Sequence, residues 1–257
     1  MSGHAYIATA LPPRRSPRDS RGPSAAGALG LAGLCLLALA LVWVVAELVP
    51  AAQRRDAIAL HDFVRLDRPG IDNLASFLLH LLEPLQFVLW AVALVAIALA
   101  RERPRTALAA ALVMGLAPFT SEQLKPLLAH PHVQIGFTHI GAASWPSGHS
   151  TAALALAYAA VLVAPAHLRR QVAWAGAAFA LAVGCSLLIL AWHMPSDVLG
   201  GYLVATLWTA LAVAVLRAAE RRWPMRRLSD ARPGPTAAPP PGTMSRPAAP
   251  EPRSPRG

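Results

Sequence analysis

Apolar residues run along this chain in long blocks, with no strict alternation and no three-to-four-residue stripe between charges. The blocks fall at about 27–49, 73–100, 106–124, 147–165, 171–192 and 196–218. A helix rises roughly 1.5 Å per residue and a bilayer core is about 30 Å thick, so some 20 apolar residues make one crossing. The pattern therefore predicts six membrane-spanning helices and no sheet. In the second block Glu83-Pro84 interrupts the run, and proline, lacking an N–H, predicts a kink or a helix start there. The third block loses its clean apolar character near Phe119, which places Ser121, Glu122 and Gln123 near an interface or facing the bundle.

Both ends of the chain break the pattern. Residues 1–26 carry Pro12, Pro13, Pro17 and Pro23 among four arginines, and residues 219–257 turn polar and rich in Pro, Ala and Arg. Neither has the apolar content to build a core, so both read as disordered basic tails flanking a domain at 27–218. The first apolar block is longer than a signal-peptide core and is followed by others, which favours an uncleaved first helix.

Composition supports the membrane reading. Of 257 residues 55% are hydrophobic and only 14% charged, against about 25% charged in a soluble domain. The net charge of +10 does not mark a nucleic-acid binder, because the basic residues sit in short clusters between apolar runs and form no continuous patch. They set orientation instead. Of the 23 Lys and Arg residues, 18 lie in the tails, at Arg217 where the last block ends, and in the 101–105 and 166–170 turns, which places these segments and both termini in the cytoplasm. The loops at about 120–146 and 193–196 then face outward. Cys35 and Cys185 lie inside apolar blocks and read as small buried hydrophobes.

Those two outward loops hold the residues with chemistry. The first carries Lys125, the single lysine, then His130, His132 and His139, and ends in Pro146-Ser147-Gly148-His149; the second reads His193-Met194-Pro195-Ser196-Asp197. Proline suits the first turn of a helix, so with Ser144 or Trp145 as cap, Ser147, Gly148 and His149 occupy the first turn of the fourth span. Backbone N–H groups there lack intrahelical partners and the helix dipole is positive, a setting that binds phosphate. His149 is placed to protonate a leaving oxygen. Asp197, at the start of the sixth span, can fix the tautomer of His193 and leave its other nitrogen as a nucleophile. Lys125 and the helix start carry the charge, so this phosphoryl transfer through a phosphohistidine calls for no metal and no cofactor. The three loop histidines have no carboxylate or thiolate at metal-ligand spacing.

Each motif also has a plainer reading. Pro-Ser-Gly is an ordinary loop-to-helix junction, Asp197 can simply stabilise a helix start, Lys125 can snorkel to the interface, and His130 and His132 can be solvated loop residues. Trp145 and Trp192, one beside each motif, read as interfacial belt residues.

Together the motifs resemble the type 2 phosphatidic acid phosphatases (PAP2), whose signature is Lys-x6-Arg-Pro, Pro-Ser-Gly-His and Ser-Arg-x5-His-x3-Asp. The resemblance spans roughly residues 27–218. It implies an all-α, six-transmembrane-helix bundle of the PAP2 type acting as a membrane phosphatase on lipid phosphates or pyrophosphates such as phosphatidic acid or polyprenyl diphosphate. By the same resemblance His193, His149 and Asp197 are catalytic, and Lys125, Ser147, Gly148 and His130 hold the phosphate. Two positions depart from the signature. Leu187 stands where the third motif's arginine belongs, and the first motif offers His130-Pro131 or His132 in place of arginine. Histidine is charged only part of the time and leucine never, so the phosphate clamp is weaker than the nucleophile. A non-catalytic lipid-phosphate binder, and more distantly a multi-pass transporter, are the alternatives, although few charges lie deep within the spans.

Overall fold

The computed structural model describes residues 24–133 and 139–223; the tail assignments at 1–23 and 224–257 lie outside them. Eight helices follow one another: α1 (Ala25–Leu48), α2 (Pro50–Val64), α3 (Pro69–His80), α4 (Pro84–Ala100), α5 (Pro104–Leu127), α6 (Gly148–Val163), α7 (Arg169–Ile189) and α8 (Pro195–Arg222). Among the described residues there is no strand.

Four of these, α1, α5, α7 and α8, are long and apolar enough to cross a membrane, and α3 with α4 forms a fifth candidate bent by 56°. The bend lies at Glu83-Pro84, where α4 begins with proline in its first turn. The 16 residues of α6 span only about 24 Å. Six spans are reached by counting the bent pair as one and α6 as a short sixth.

One element was not foreseen. Residues 50–72, taken as loop, contain α2 and the first part of α3. In α2 the polar residues Gln53, Arg54 and Arg55 precede Ala57 and Leu60, which are buried. Pro50 opens the helix, and α2 packs against α1, α7 and α8.

Packing is inverted relative to a water-soluble bundle. Ala110, Ala117, Ala153, Ala155, Ala159 and Ala205 are fully buried, while Leu29, Leu34, Leu37 and Leu41 of α1 are each more than half exposed. Lipid solvates large aliphatic side chains, so only close contact between small residues favours helix association. At the centre is α6, in contact with α4, α5, α7 and α8. Gly201 on α8 faces its first turn, and a Cβ there would sit 2.5 Å from the Ser147 carbonyl oxygen. This close approach brings the starts of α6 and α8 together. The indoles of Trp43 and Trp208 then tie α1 and α8 to the outer part of α5, donating to the Leu128 carbonyl (3.2 Å) and Thr120 Oγ1 (2.9 Å). Cys35 and Cys185 are both free thiols.

Candidate active site

The site forms where α6 and α8 begin. The Ser147 N–H donates to the Asp197 carbonyl at 2.9 Å. The Ser150 hydroxyl donates to the Val198 carbonyl at 3.2 Å, and Ser121 of α5 donates to the Pro146 carbonyl at 3.0 Å. Residues some fifty positions apart are thereby held in register by backbone carbonyls.

Asp197 lies fully buried in the first turn of α8. Its Oδ2 accepts from the Met194 N–H at 2.9 Å and faces His193 Nδ1 at 3.2 Å. A carboxylate only accepts, so Nδ1 carries the proton and Nε2 keeps its lone pair. His193 is itself nearly buried, at 9% exposure. His149, in the first turn of α6, meets Trp192 edge to face at 5.8 Å between ring centroids.

The helix start differs in detail from the sequence expectation. Ser147 is the N-cap, not Ser144 or Trp145, and its side chain accepts from the Ser150 N–H at 3.4 Å. Its own N–H is taken by the Asp197 carbonyl, while its hydroxyl, which accepts from Ser150, keeps its own proton as a donor. Gly148 and His149, the first two residues of α6, supply the N–H groups without intrahelical partners. Trp145 is not an interfacial residue either; it is 2% exposed and packs on Gly200. Trp192 is half exposed.

Lys125 lies in the last turn of α5, not in the loop. Its Nζ is 2.7 Å from Glu122 Oε1 and 3.6 Å from where a Gly148 Cβ would lie, with the Glu122 oxygen closer still, at 2.5 Å. A carboxylate thus stands over the start of α6, in the place an anion would take. Glu122, Lys125, Gly148 and His149 form the polar end of a cavity of about 470 Å³, whose other walls include Leu82, Phe87, Val88 and Met114. One end of it offers charge, and the larger part offers hydrocarbon.

His130 is turned elsewhere. Its Nδ1 lies 3.1 Å from the Pro131 carbonyl and 3.8 Å from Glu47 Oε2. His132 is buried, with Nδ1 3.4 Å from the same Glu47 oxygen and Nε2 bonded to Ser144 Oγ at 2.8 Å. The loop histidines therefore do have a carboxylate companion, one that spacing within the loop does not reveal because Glu47 comes from the end of α1. His139 is exposed. Leu187, at the expected arginine position, is fully buried in an apolar cluster with Met194 and Val198, so no charge enters there.

Asp56 of α2 is a further contributor absent from the sequence reading. It accepts from the Ser196 N–H at 3.2 Å and the Ser196 hydroxyl at 2.6 Å, which braces the start of α8 beside Asp197. Burial pushes the Asp56 carboxyl above its ordinary range, and the Ser196 hydrogen bonds pull it partly back.

With the geometry in place, comparison with known proteins decides the family. The family model described as the PAP2 superfamily matches residues 89–221, slightly more than half of the chain. The chain belongs to the PAP2 superfamily. The match includes α5, α6, α7, nearly all of α8 and the motifs at Pro146–His149 and His193–Asp197, and leaves out α1, α2 and α3. A solved structure, the first transmembrane PAP2 type phosphatidylglycerolphosphate phosphatase from Bacillus subtilis, shares the fold with a TM-score of 0.60 at 20% identity, over 76% of this chain and 98% of that one. No curated protein matches the sequence significantly. The protein is thus a multi-pass, all-helical membrane member of the PAP2 superfamily.

Proposed function

We propose that this PAP2 protein is a phosphatase that hydrolyses a lipid phosphate or lipid pyrophosphate at the outer face of the cytoplasmic membrane, with both termini inside. The observation that carries the reading is the junction of α6 and α8. It couples a carboxylate-oriented imidazole to a helix start with unpartnered N–H groups. The phosphatidylglycerolphosphate phosphatase of the same fold places a phosphorylated glycerolipid among the substrates to test.

In the proposed reaction His193 Nε2 attacks phosphorus, the bond to the leaving alkoxide breaks, and His149 protonates that oxygen. Asp197 stabilises the positive imidazole ring that forms. Water then attacks the phosphohistidine, His149 takes up its proton, and phosphate departs. The Gly148 and His149 N–H groups and Lys125 carry the charge on the phosphoryl oxygens, and the apolar wall of the cavity accepts the part of the lipid nearest its head group.

The test is phosphate release by the purified full-length protein from a panel of lipid phosphates and pyrophosphates, alongside His193→Asn. Release that survives His193→Asn overturns the mechanism. No release from any substrate, together with saturable lipid-phosphate binding, establishes the non-catalytic binder in its place. Orientation is tested separately by a reporter fused after residue 218, which should report the cytoplasm; an exterior signal moves the site to the other face.

A further inference from the structure

A groove of about 770 Å³ opens where the end of α1, α2 and the start of α8 meet. Its walls include Leu41, Val45 and Val49 along α1 and its C-cap and Leu199 of α8, each more than 40% exposed. Arg55, Asp56 and Ser196 form its polar end. A smaller hollow of about 380 Å³, lined by Pro50, Ala51, Arg54, Arg55 and Ile58, joins the groove at Ala51 and Arg55. None of these residues lines the cavity that holds Lys125 and His149.

Charge is divided unevenly at the mouth. Asp56 uses both carboxylate oxygens on Ser196, one on its N–H and one on its hydroxyl. Arg54 and Arg55 are exposed and have no ion-pair partner among the described residues. The charge left open is therefore positive, and residues 41–49 carry the apolar wall about 12 Å down from it. A membrane phospholipid has the same two parts in the same order. The guanidinium fork matches a phosphate, and the exposed Leu and Val side chains match an acyl chain. A zwitterionic lipid would bring an ammonium toward two guanidinium groups, so the match is to an anionic lipid.

We propose that this groove binds one anionic glycerophospholipid of the surrounding membrane, with its phosphodiester on Arg54 and Arg55 and one acyl chain along Leu41, Val45 and Leu199. The lipid is a resident and not a substrate, because the groove and the catalytic cavity have no lining residue in common. Its place still bears on the site. Asp56 and Ser196 line the groove and together brace the start of α8 beside Asp197, so a filled groove supports the turn that orients His193. The binding itself does not require the phosphatase reading.

The experiment delipidates the full-length protein in detergent and titrates it with dioleoyl phosphatidylglycerol or dioleoyl phosphatidylcholine, counting bound lipids by native mass spectrometry. One phosphatidylglycerol should bind in clear preference to phosphatidylcholine. The double variant Arg54→Gln/Arg55→Gln should weaken that binding by roughly tenfold or more, while Arg65→Gln/Arg68→Gln, which removes the same charge from exposed positions nearby, leaves it unchanged. In the wild type, phosphatidylglycerol with a photoreactive acyl chain should cross-link within 41–49 or at Leu199, a readout that does not depend on how the variants fold. Equal binding of the two lipids, indifference to Arg54→Gln/Arg55→Gln, or cross-links confined to other helices each overturns the site. Displacement of the bound lipid by an equal concentration of phosphatidic acid makes the groove a substrate path and overturns the resident lipid. Selective binding to a protein that releases no phosphate keeps this inference and removes the phosphatase reading.

Discussion

At the α6/α8 junction, Ser147, Ser150, Val198 and Asp197 bond from one helix to the other through buried groups. At the C-terminal end of α5, by contrast, Lys125 is paired with Glu122 only three residues away, and that carboxylate is 56% exposed. Cross-helix bonds in a buried setting preset geometry before any ligand arrives. A local, half-solvated pair contributes little to stability and opens readily. On the proposed mechanism, one region holds the nucleophile in position, and the other holds a cation behind a carboxylate that an incoming phosphate would displace. The same contrast appears in the residues replaced: the departures from the family signature, His130 or His132 and Leu187, concern the clamp and spare the nucleophile and its partner.

The sharpest break of this comparison is His193→Asn, expected to lower kcat by on the order of 10⁴ or more with the melting temperature little changed, as measured by phosphate release and thermal unfolding in detergent. His149→Gln removes the proton donor and should cost about 10²- to 10⁴-fold in kcat. The loss should shrink for substrates with better leaving groups, such as pyrophosphates; an equal loss for all of them removes His149 from that role. Gly201→Ala places a methyl group against the Ser147 carbonyl and should destabilise the fold by about 1–3 kcal/mol, lowering kcat because the two helix starts separate. Asp56→Asn weakens the brace on Ser196 and should cost about 1 kcal/mol in thermal stability. The smallest effect is expected from Glu122→Gln, which frees Lys125. KM should fall by a factor of roughly two to five, in line with the 0.2–1 kcal/mol of an exposed pair, with kcat nearly unchanged. A rise in KM shows that Glu122 positions Lys125 and does not compete with phosphate.

Much of the architecture was legible because lipid imposes a simple rule on sequence. Every backbone polar group in the hydrocarbon must be satisfied within its own segment, so long apolar runs mean helices, and the break at Glu83-Pro84 announced itself through the missing proline N–H. The short α2 was missed because its apolar residues are few and its first turns polar, so it looks like the loop that it replaces. Within the site, Pro146 to His149 and His193 with Asp197 were readable as spacing. The cap at Ser147 was not, because the choice among neighbouring serines depends on the Asp197 carbonyl that accepts the Ser147 N–H. Glu47 and Asp56 were invisible for a common reason: each acts on residues of another segment, and nothing in its own neighbourhood singles it out.

By itself the sequence determined an all-helical membrane protein, the family, and the pairing of His193 with Asp197 at a helix start, because these depend on hydrophobic run length and on fixed short spacings. Tertiary structure alone decided which polar groups of different segments meet. His132 meets Glu47, and Ser196 meets Asp56, contacts set by how helix ends pack. Coulomb and hydrogen-bond energies depend on distance in space, and in both pairs the chain separates the partners by more than eighty positions.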